Sequence, residues 1–233
     1  KIGIAVFSRM DSNRLPGKAL TKIGGRSMLG RVLDQLKKIS RYSPLIVATS
    51  DQGIDDPIAK LAKDEDIAVF RGSDSNVLER AANCARRFNL DALVRISGDS
   101  PFIDGALIEK LVAVHRQTVP DLTTNVFPRT LPPGMSVEVI STSVLNRLQS
   151  MATDKDDNEH VTKYIYDHAD EFHIHPVIFK KNNYDNVHLA VDTQHDLERA
   201  TWIANQATEI SLEKVAGLAR QWDSQHPNAR PGK

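Results

Sequence analysis

"FSRMDSNRLPGKAL" (Phe7–Leu20) comes directly after the apolar run Ile2-Gly3-Ile4-Ala5-Val6-Phe7. The run reads as a first strand. Beyond its end the chain enters a loop with three cations, Arg9, Arg14 and Lys18, and a Pro16-Gly17 turn. Proline fixes φ and glycine tolerates positive φ, so the pair can fold the loop back and let the cations converge on a polyphosphate. Two common nucleotide motifs are absent. A Walker loop needs Gly where Ser12 stands and Ser or Thr where Ala19 stands, and a dinucleotide fingerprint needs three glycines where only Gly3 is present. From charge alone, a solvated basic loop is the reading the segment favours over an anion site.

The rest of the chain extends the pattern of its first strand. Short apolar runs at 2–7, 45–49, 67–70, 92–97, 121–124, 135–140, 173–179 and 187–191 are expected as strands. Amphipathic segments at 27–39, 54–65, 76–89, 104–117, 142–150, 157–169, 194–207 and 211–222 are expected as helices, several opening on Ser, Asp or Asn caps. The first four strands each precede a helix. That order implies an α/β fold of three layers, a mostly parallel Rossmann-like sheet between helices, with ligands beyond the carboxyl ends of the strands. Residues 125–185, with "FPRTLPPGM" and "TDKDDNEH", break the rhythm and read as an inserted arm or lid that closes the site or mediates dimerisation. Residues 1–225 are expected as a single domain, with 226–233 as a polar tail.

Composition narrows the function classes. Thirty Lys or Arg balance thirty Asp or Glu, which argues against sequence-independent nucleic-acid binding and leaves no polybasic membrane footprint. The charge is uneven: residues 1–41 hold ten Lys or Arg against two acids, Asp11 and Asp34. A local anion site fits that asymmetry better than a basic surface does. With one cysteine, Cys84, and no apolar stretch near the roughly 20 residues that span a bilayer, the chain reads as a soluble cytoplasmic protein without a visible leader. Cys84 lies on the apolar side of the helical stretch "VLERAANCARRF" and reads as buried filler. His173 and His175 share one strand face as a zinc pair would, but no third ligand accompanies them.

"SRMDSNRLPGKAL" with "IGGRSMLGRVLDQL" resembles the opening signature of the sugar-acid cytidylyltransferases. "FRGSDSNVLERA", "VRISGDSPFID", "SVEVIS", "NEHVTKYIYDH" and "VDTQHDLERA" make the chain most similar to the SpsF-like branch, that of spore coat polysaccharide biosynthesis, over about residues 2–207. Acylneuraminate cytidylyltransferase and CMP-ketodeoxyoctulosonate synthetase share the plan. The resemblance implies a sheet of the nucleotide-sugar transferase type, CTP and a sugar or sugar-acid acceptor as substrates, Mg²⁺ as cofactor, and a homodimer.

The same resemblance implies the site. Arg9, Arg14 and Lys18 would hold the triphosphate, with contacts from Ser8 and Ser12. Asp99 and Asp192 would bind metal, and Gly98 would let the backbone approach the nucleotide. Lys18, Arg14 and Asp99 are the candidate catalytic residues, because leaving-group charge must be neutralised in the transition state. Arg71 and Arg80 would approach the cytosine or the phosphates, and Glu138, Glu159 and His160 the acceptor. Ordinary structural roles compete at several of these positions: a turn for Asp99, a helix cap for Asp192, a capping loop with a surface Arg for Arg71 and Arg80, a solvent-facing strand position for Glu138, and a local cap or pair for His160. Asp11 stands where the family commonly has Gly, and Asn13 where it has Ser or Thr. An acid beside a triphosphate keeps open a catalytically silent nucleotide-binding relative, and the strand-end aspartates keep open a glycosyltransferase of similar architecture that uses a nucleotide-sugar.

Overall fold

The computed structural model describes residues 1–39, 44–179, 184 and 186–227. The opening run forms β1 (Ile2–Phe7), buried along its whole length. Ile2, Ile4 and Val6 join one apolar core, and Ala5 and Phe7 join the other. That alternation puts β1 in the middle layer, covered on both faces.

The chain then makes a small hairpin, β2 (Lys22–Ile23) and β3 (Arg26–Ser27), and enters α1 (Met28–Lys37), where Ser27 caps Gly30 N at 3.1 Å. β4 (Leu45–Ser50), α2 (Asp56–Asp64), β5 (Ala68–Gly72), α3 (Val77–Arg87), β6 (Ala92–Ser97) and α4 (Gly105–Thr118) continue in strand–helix alternation. Asn76 caps α3 and Asp104 caps α4, as their sequence positions suggest. After α4 come β7 (Leu122–Thr124), β8 (Glu138–Ser141), α5 (Thr142–Met151), α6 (Lys155–Glu159), α7 (Lys163–Asp167), β9 (Ile174–Pro176), α8 (Gln194–Gln206) and α9 (Leu212–Gln225). The seven-stranded sheet has the order β5-β4-β1-β6-β8-β7-β9. β8 runs antiparallel to β6 and β7, and the other pairings are parallel. From β1 the chain first builds outward through β4 and β5, then returns to place β6 on the other side of β1. That reversal opens a crevice beyond the carboxyl ends of β1 and β6.

Three expectations are corrected. The segment 125–185 is not wholly an excursion: it supplies β8 and β9 to the sheet and α5 to the α3 face. The helix expected at 157–169 is broken into α6, α7 and a 3-10 turn at Ala169–Glu171. In the second piece Thr162 and Tyr166, one turn apart, both reach the buried Glu138, at 2.7 and 2.6 Å. The strand expected at 187–191 does not form. Its backbone donors go to loops instead, Leu189 N and Ala190 N to Pro133 O at 2.8 and 3.1 Å, and Val191 N to Asp99 O at 2.9 Å.

Gly134 makes that loop contact possible. Its φ is +94°, and a Cβ there would lie 2.5 Å from Ala190 N and Leu189 C, both backbone atoms. Gly134→Ala is therefore expected to lower the free energy of unfolding by about 2 kcal/mol or more and to weaken nucleotide binding by displacing 189–192. Urea denaturation and a CTP titration of the variant check both effects.

Candidate active site

Beyond the ends of β1 and β6 lies a cavity of ≈ 480 Å³. Its floor is the cationic loop, which folds back as its Pro-Gly turn suggests: Gly17, with φ +74°, donates its N–H to Met10 O at 2.9 Å. The other end of the loop is pinned by Asp55, a residue that motif reading passed over. Asp55 is 1% exposed and accepts from Met10 N at 2.7 Å and from the N–H and hydroxyl of Ser50. Because Asp55 uses the Met10 amide, that N–H is withheld from the cavity.

Lys18 is the centre of the site. Its ammonium lies 2.9 Å from Asp192 Oδ1, 3.6 Å from Asp99 Oδ2 and 2.9 Å from the backbone oxygen of Val191. The two carboxylates, 93 positions apart in the chain, thus share one cation. Asp99 leaves β6 directly, but Asp192 comes after the loop-bound 187–191 segment and not after a sheet strand, which corrects its expected setting. Its competing role as a helix cap falls to Thr193, which forms the capping box of α8 with Asp196. Burial pushes the Asp192 carboxyl up, but the hydrogen bond and charge of Lys18, with Arg14 and His188, outweigh it and hold the group below the usual carboxylate range. Arg14 reaches Asp192 Oδ1 at 3.0 Å from a largely exposed position.

Other expected residues join the same cavity. Arg9 spans it, donating to Asp74 O at 2.8 Å and to Glu159 Oε1 at 2.6 Å. Ser8, Ser12 and the exposed His160 line it, as does Asp11. Arg80 is 1% exposed, donates to Ser73 O at 2.9 Å and keeps a buried Nε that meets no partner among the described residues. Burial, with Arg9 nearby, pulls its guanidinium down to about 10. Gly98 lines the cavity, yet its lack of a side chain answers to β1: a Cβ would sit 2.8 Å from Ser8 Cβ and 3.0 Å from Phe7 O.

Two expected residues lie elsewhere. Arg71 is outside the cavity, its guanidinium committed to Ser50 O, Gln52 O and Asp56 at 2.6–2.9 Å. Glu138 is neither at the solvent face nor in this cavity. It is 3% exposed and borders a second cavity of ≈ 350 Å³, which shares Arg95 and His160 with the first. Burial pushes the Glu138 carboxyl up, but Arg95, Tyr166 and Thr162 together bring it below the usual range. Arg95 was not anticipated either. Its signal was a single charge inside the apolar run "ALVRI", matched by a single opposite charge in "VEVI". Cys84 is fully buried, with its thiol pushed up to about 12, and takes no part. Among the described residues no group of three or more His, Cys, Asp or Glu side chains gathers into a metal cluster, His173 and His175 included.

A family model described as Cytidylyltransferase matches residues 4–221. The chain belongs to the cytidylyltransferase family. Its chemistry is nucleotidyl transfer, which replaces the glycosyltransferase alternative. This cytidylyltransferase is 28% identical over 215 residues to the spore coat polysaccharide biosynthesis protein SpsF of Bacillus subtilis, covering 88% of this chain and 86% of that protein. It is 35% identical over 106 residues to a 3-deoxy-manno-octulosonate cytidylyltransferase of Trichlorobacter lovleyi, covering 45% and 41% of the two chains. The solved structure of a cytidylyltransferase from Leptospira borgpetersenii serovar Hardjo-bovis matches with a TM-score of 0.88 at 27% identity, over 100% of this chain and 98% of that one. Among the described residues, no helix of the cytidylyltransferase is long and apolar enough to cross a membrane.

This geometry has two measurable consequences. Asp55→Ala leaves the Met10 and Ser50 donors unsatisfied, so it is expected to cost about 1–3 kcal/mol of stability and to weaken CTP binding; denaturation and calorimetry measure the two. Glu138 has a depressed folded pKa, so its contribution is present above the unfolded carboxylate range and is lost as pH falls through the folded value. Wild-type stability is accordingly expected to drop more steeply than that of Glu138→Gln between about pH 6 and about pH 3, measured by urea unfolding at each pH.

Proposed function

We propose that the enzyme activates a sugar acid by transferring CMP from CTP with release of pyrophosphate, for the synthesis of a surface polysaccharide or glycoconjugate. The observation that carries this reading is the convergence of Lys18, Asp99 and Asp192 in one cavity that joins a second through Arg95 and His160. The family supplies the nucleotidyl transfer, and the relatives named for spore coat polysaccharide and for 3-deoxy-manno-octulosonate support the acceptor class.

In this reading Arg14 and Lys18 clamp the β- and γ-phosphates, with Arg9, Ser8 and Ser12 beside them. The backbone at Gly98 and the buried Arg80 border the nucleotide. Glu159 and His160 face the acceptor. The acceptor hydroxyl oxygen forms a bond to the α-phosphorus in line with departing pyrophosphate, and the bond from the α-phosphorus to the bridging oxygen breaks while the hydroxyl proton passes to solvent water. Lys18 and Arg14 balance the charge that builds on the leaving group.

Asp99 and Asp192 would hold Mg²⁺. Two carboxylates, close enough to share one ammonium, suit a hard cation whose remaining ligands are substrate phosphate oxygens and water. When bound, Mg²⁺ supplies charge neutralisation at the phosphates and lowers the pKa of the attacking hydroxyl. A single-domain, cytoplasmic homodimer remains part of the proposal. The exposed Asp11 on the cavity wall favours a second reading, a relative that binds CTP without turning it over.

Asp99→Asn is expected to reduce CTP- and acceptor-dependent pyrophosphate release by roughly 100-fold or more while melting temperature is preserved. Turnover retained in that variant overturns the metal assignment. Selective CTP binding by the wild type, with no pyrophosphate released across a panel of sugar acids, favours the silent relative.

A further inference from the structure

Arg95 and Glu138 are direct cross-strand partners in the register of β6 and β8. Arg95 Nη1 donates to Glu138 Oε2 at 2.7 Å, while Glu138 Oε1 accepts from Thr162 at 2.7 Å and from Tyr166 at 2.6 Å. Three donors therefore hold the carboxylate, and the carboxylate holds the guanidinium. The guanidinium itself is under-used. Its Nε is buried with no hydrogen-bond partner among the described residues, and Glu138 is the one acceptor that its other nitrogens meet there.

Attraction alone does not account for the pair, because an ion pair with a buried carboxylate loses in desolvation much of what it gains. What the pair does supply is a planar, permanently charged fork held still in the wall common to the two cavities, with Nη2 committed to no acceptor among the described residues. An acceptor in the second cavity, reaching towards a nucleotide in the first, would pass that wall. Arg129, which also lines the second cavity and donates to Ser136 Oγ at 3.0 Å, adds positive charge on the far side. Lys163, by contrast, is paired with Asp157 and Asp167.

We propose that Arg95 reads the acidic group of the acceptor from the wall between the two cavities, and that Glu138, instead of touching the acceptor, is the positioning residue that aims Arg95. This assignment rests on the sugar-acid reading above. A guanidinium edge matches a carboxylate in two parallel hydrogen bonds. A neutral sugar in the same place would leave its donors desolvated and unpaired, which is the kind of mismatch that gives strong discrimination.

The test is calorimetric, on the full chain with Mg²⁺ and an α,β-methylene analogue of CTP that prevents turnover. 3-deoxy-manno-octulosonate, N-acetylneuraminate and the C1 amide of each are titrated in turn. Wild type is expected to bind at least one acid roughly tenfold or more tighter than its amide. Arg95→Met is expected to lose that preference while binding the CTP analogue within about twofold of wild type, and Arg95→Lys to recover part of it. In turnover, Glu138→Gln is expected to raise the acceptor KM more than it lowers kcat, which a purely structural role would not do.

If wild type binds an acid and Arg95→Met prefers it equally, the Arg95 assignment is wrong and the sugar-acid reading stands. If Arg95→Met instead loses the CTP analogue and keeps the preference, Arg95 belongs to the nucleotide. If neither acid binds wild type more tightly than its amide, the sugar-acid reading falls and takes this assignment with it. A Glu138→Gln variant that is less stable but unchanged in acceptor KM removes Glu138 from the positioning role.

Discussion

A single backbone hydrogen bond, Val191 N to Asp99 O at 2.9 Å, ties the loop after β6 to the segment before α8. Each of those stretches carries one carboxylate of the site, and two carboxylates brought close repel each other. The backbone bond holds them together regardless, and Lys18 neutralises them from between while also bonding Val191 O. The same segment rests on the turn at Gly134, where a side chain has no space. Charge, backbone and turn are thus mutually dependent.

The cationic loop solves a different problem. Many phosphate sites use successive backbone N–H groups as the cradle. Here Asp55 accepts the N–H of Met10, and Met10 O closes the loop by accepting from Gly17. These internal bonds make a stiff platform from which Arg9, Arg14 and Lys18 project. Without a ligand, each of those cations is paired with an acid on another part of the chain: Arg9 with Asp74 and Glu159, Arg14 with Asp192, and Lys18 with Asp99 and Asp192.

Features governed by near neighbours were readable from the residues. β1 and its loop, the turn at Gly17, the caps at Ser27, Asn76 and Asp104, and the inert, buried Cys84 depend on periodicity or on residues a few positions apart, and the structure has them. The readings that failed depend on distant partners. Residues 187–191 have the composition of a strand, but their donors meet Pro133 and Asp99 before any strand edge. Arg71 stands in a family-like segment, but the carbonyls of Ser50 and Gln52 and the carboxylate of Asp56 hold it off the site.

By itself, then, the sequence determined the α/β alternation and the placement of a cationic loop at a strand end, which come from periodicity and from residue types that one short stretch displays. Its motifs, spread along the chain, carry the resemblance to the cytidylyltransferases. Only the tertiary structure decided that Lys18, Asp99 and Asp192 meet, that Asp192 arrives on a loop, that Asp55 pins the cationic loop, and that Arg95 and Glu138 face each other in the wall between two cavities. Each of these is set by register and by hydrogen bonds between segments far apart in the chain. A buried donor or acceptor takes whichever partner the fold brings within about 3 Å, and local composition does not encode that choice.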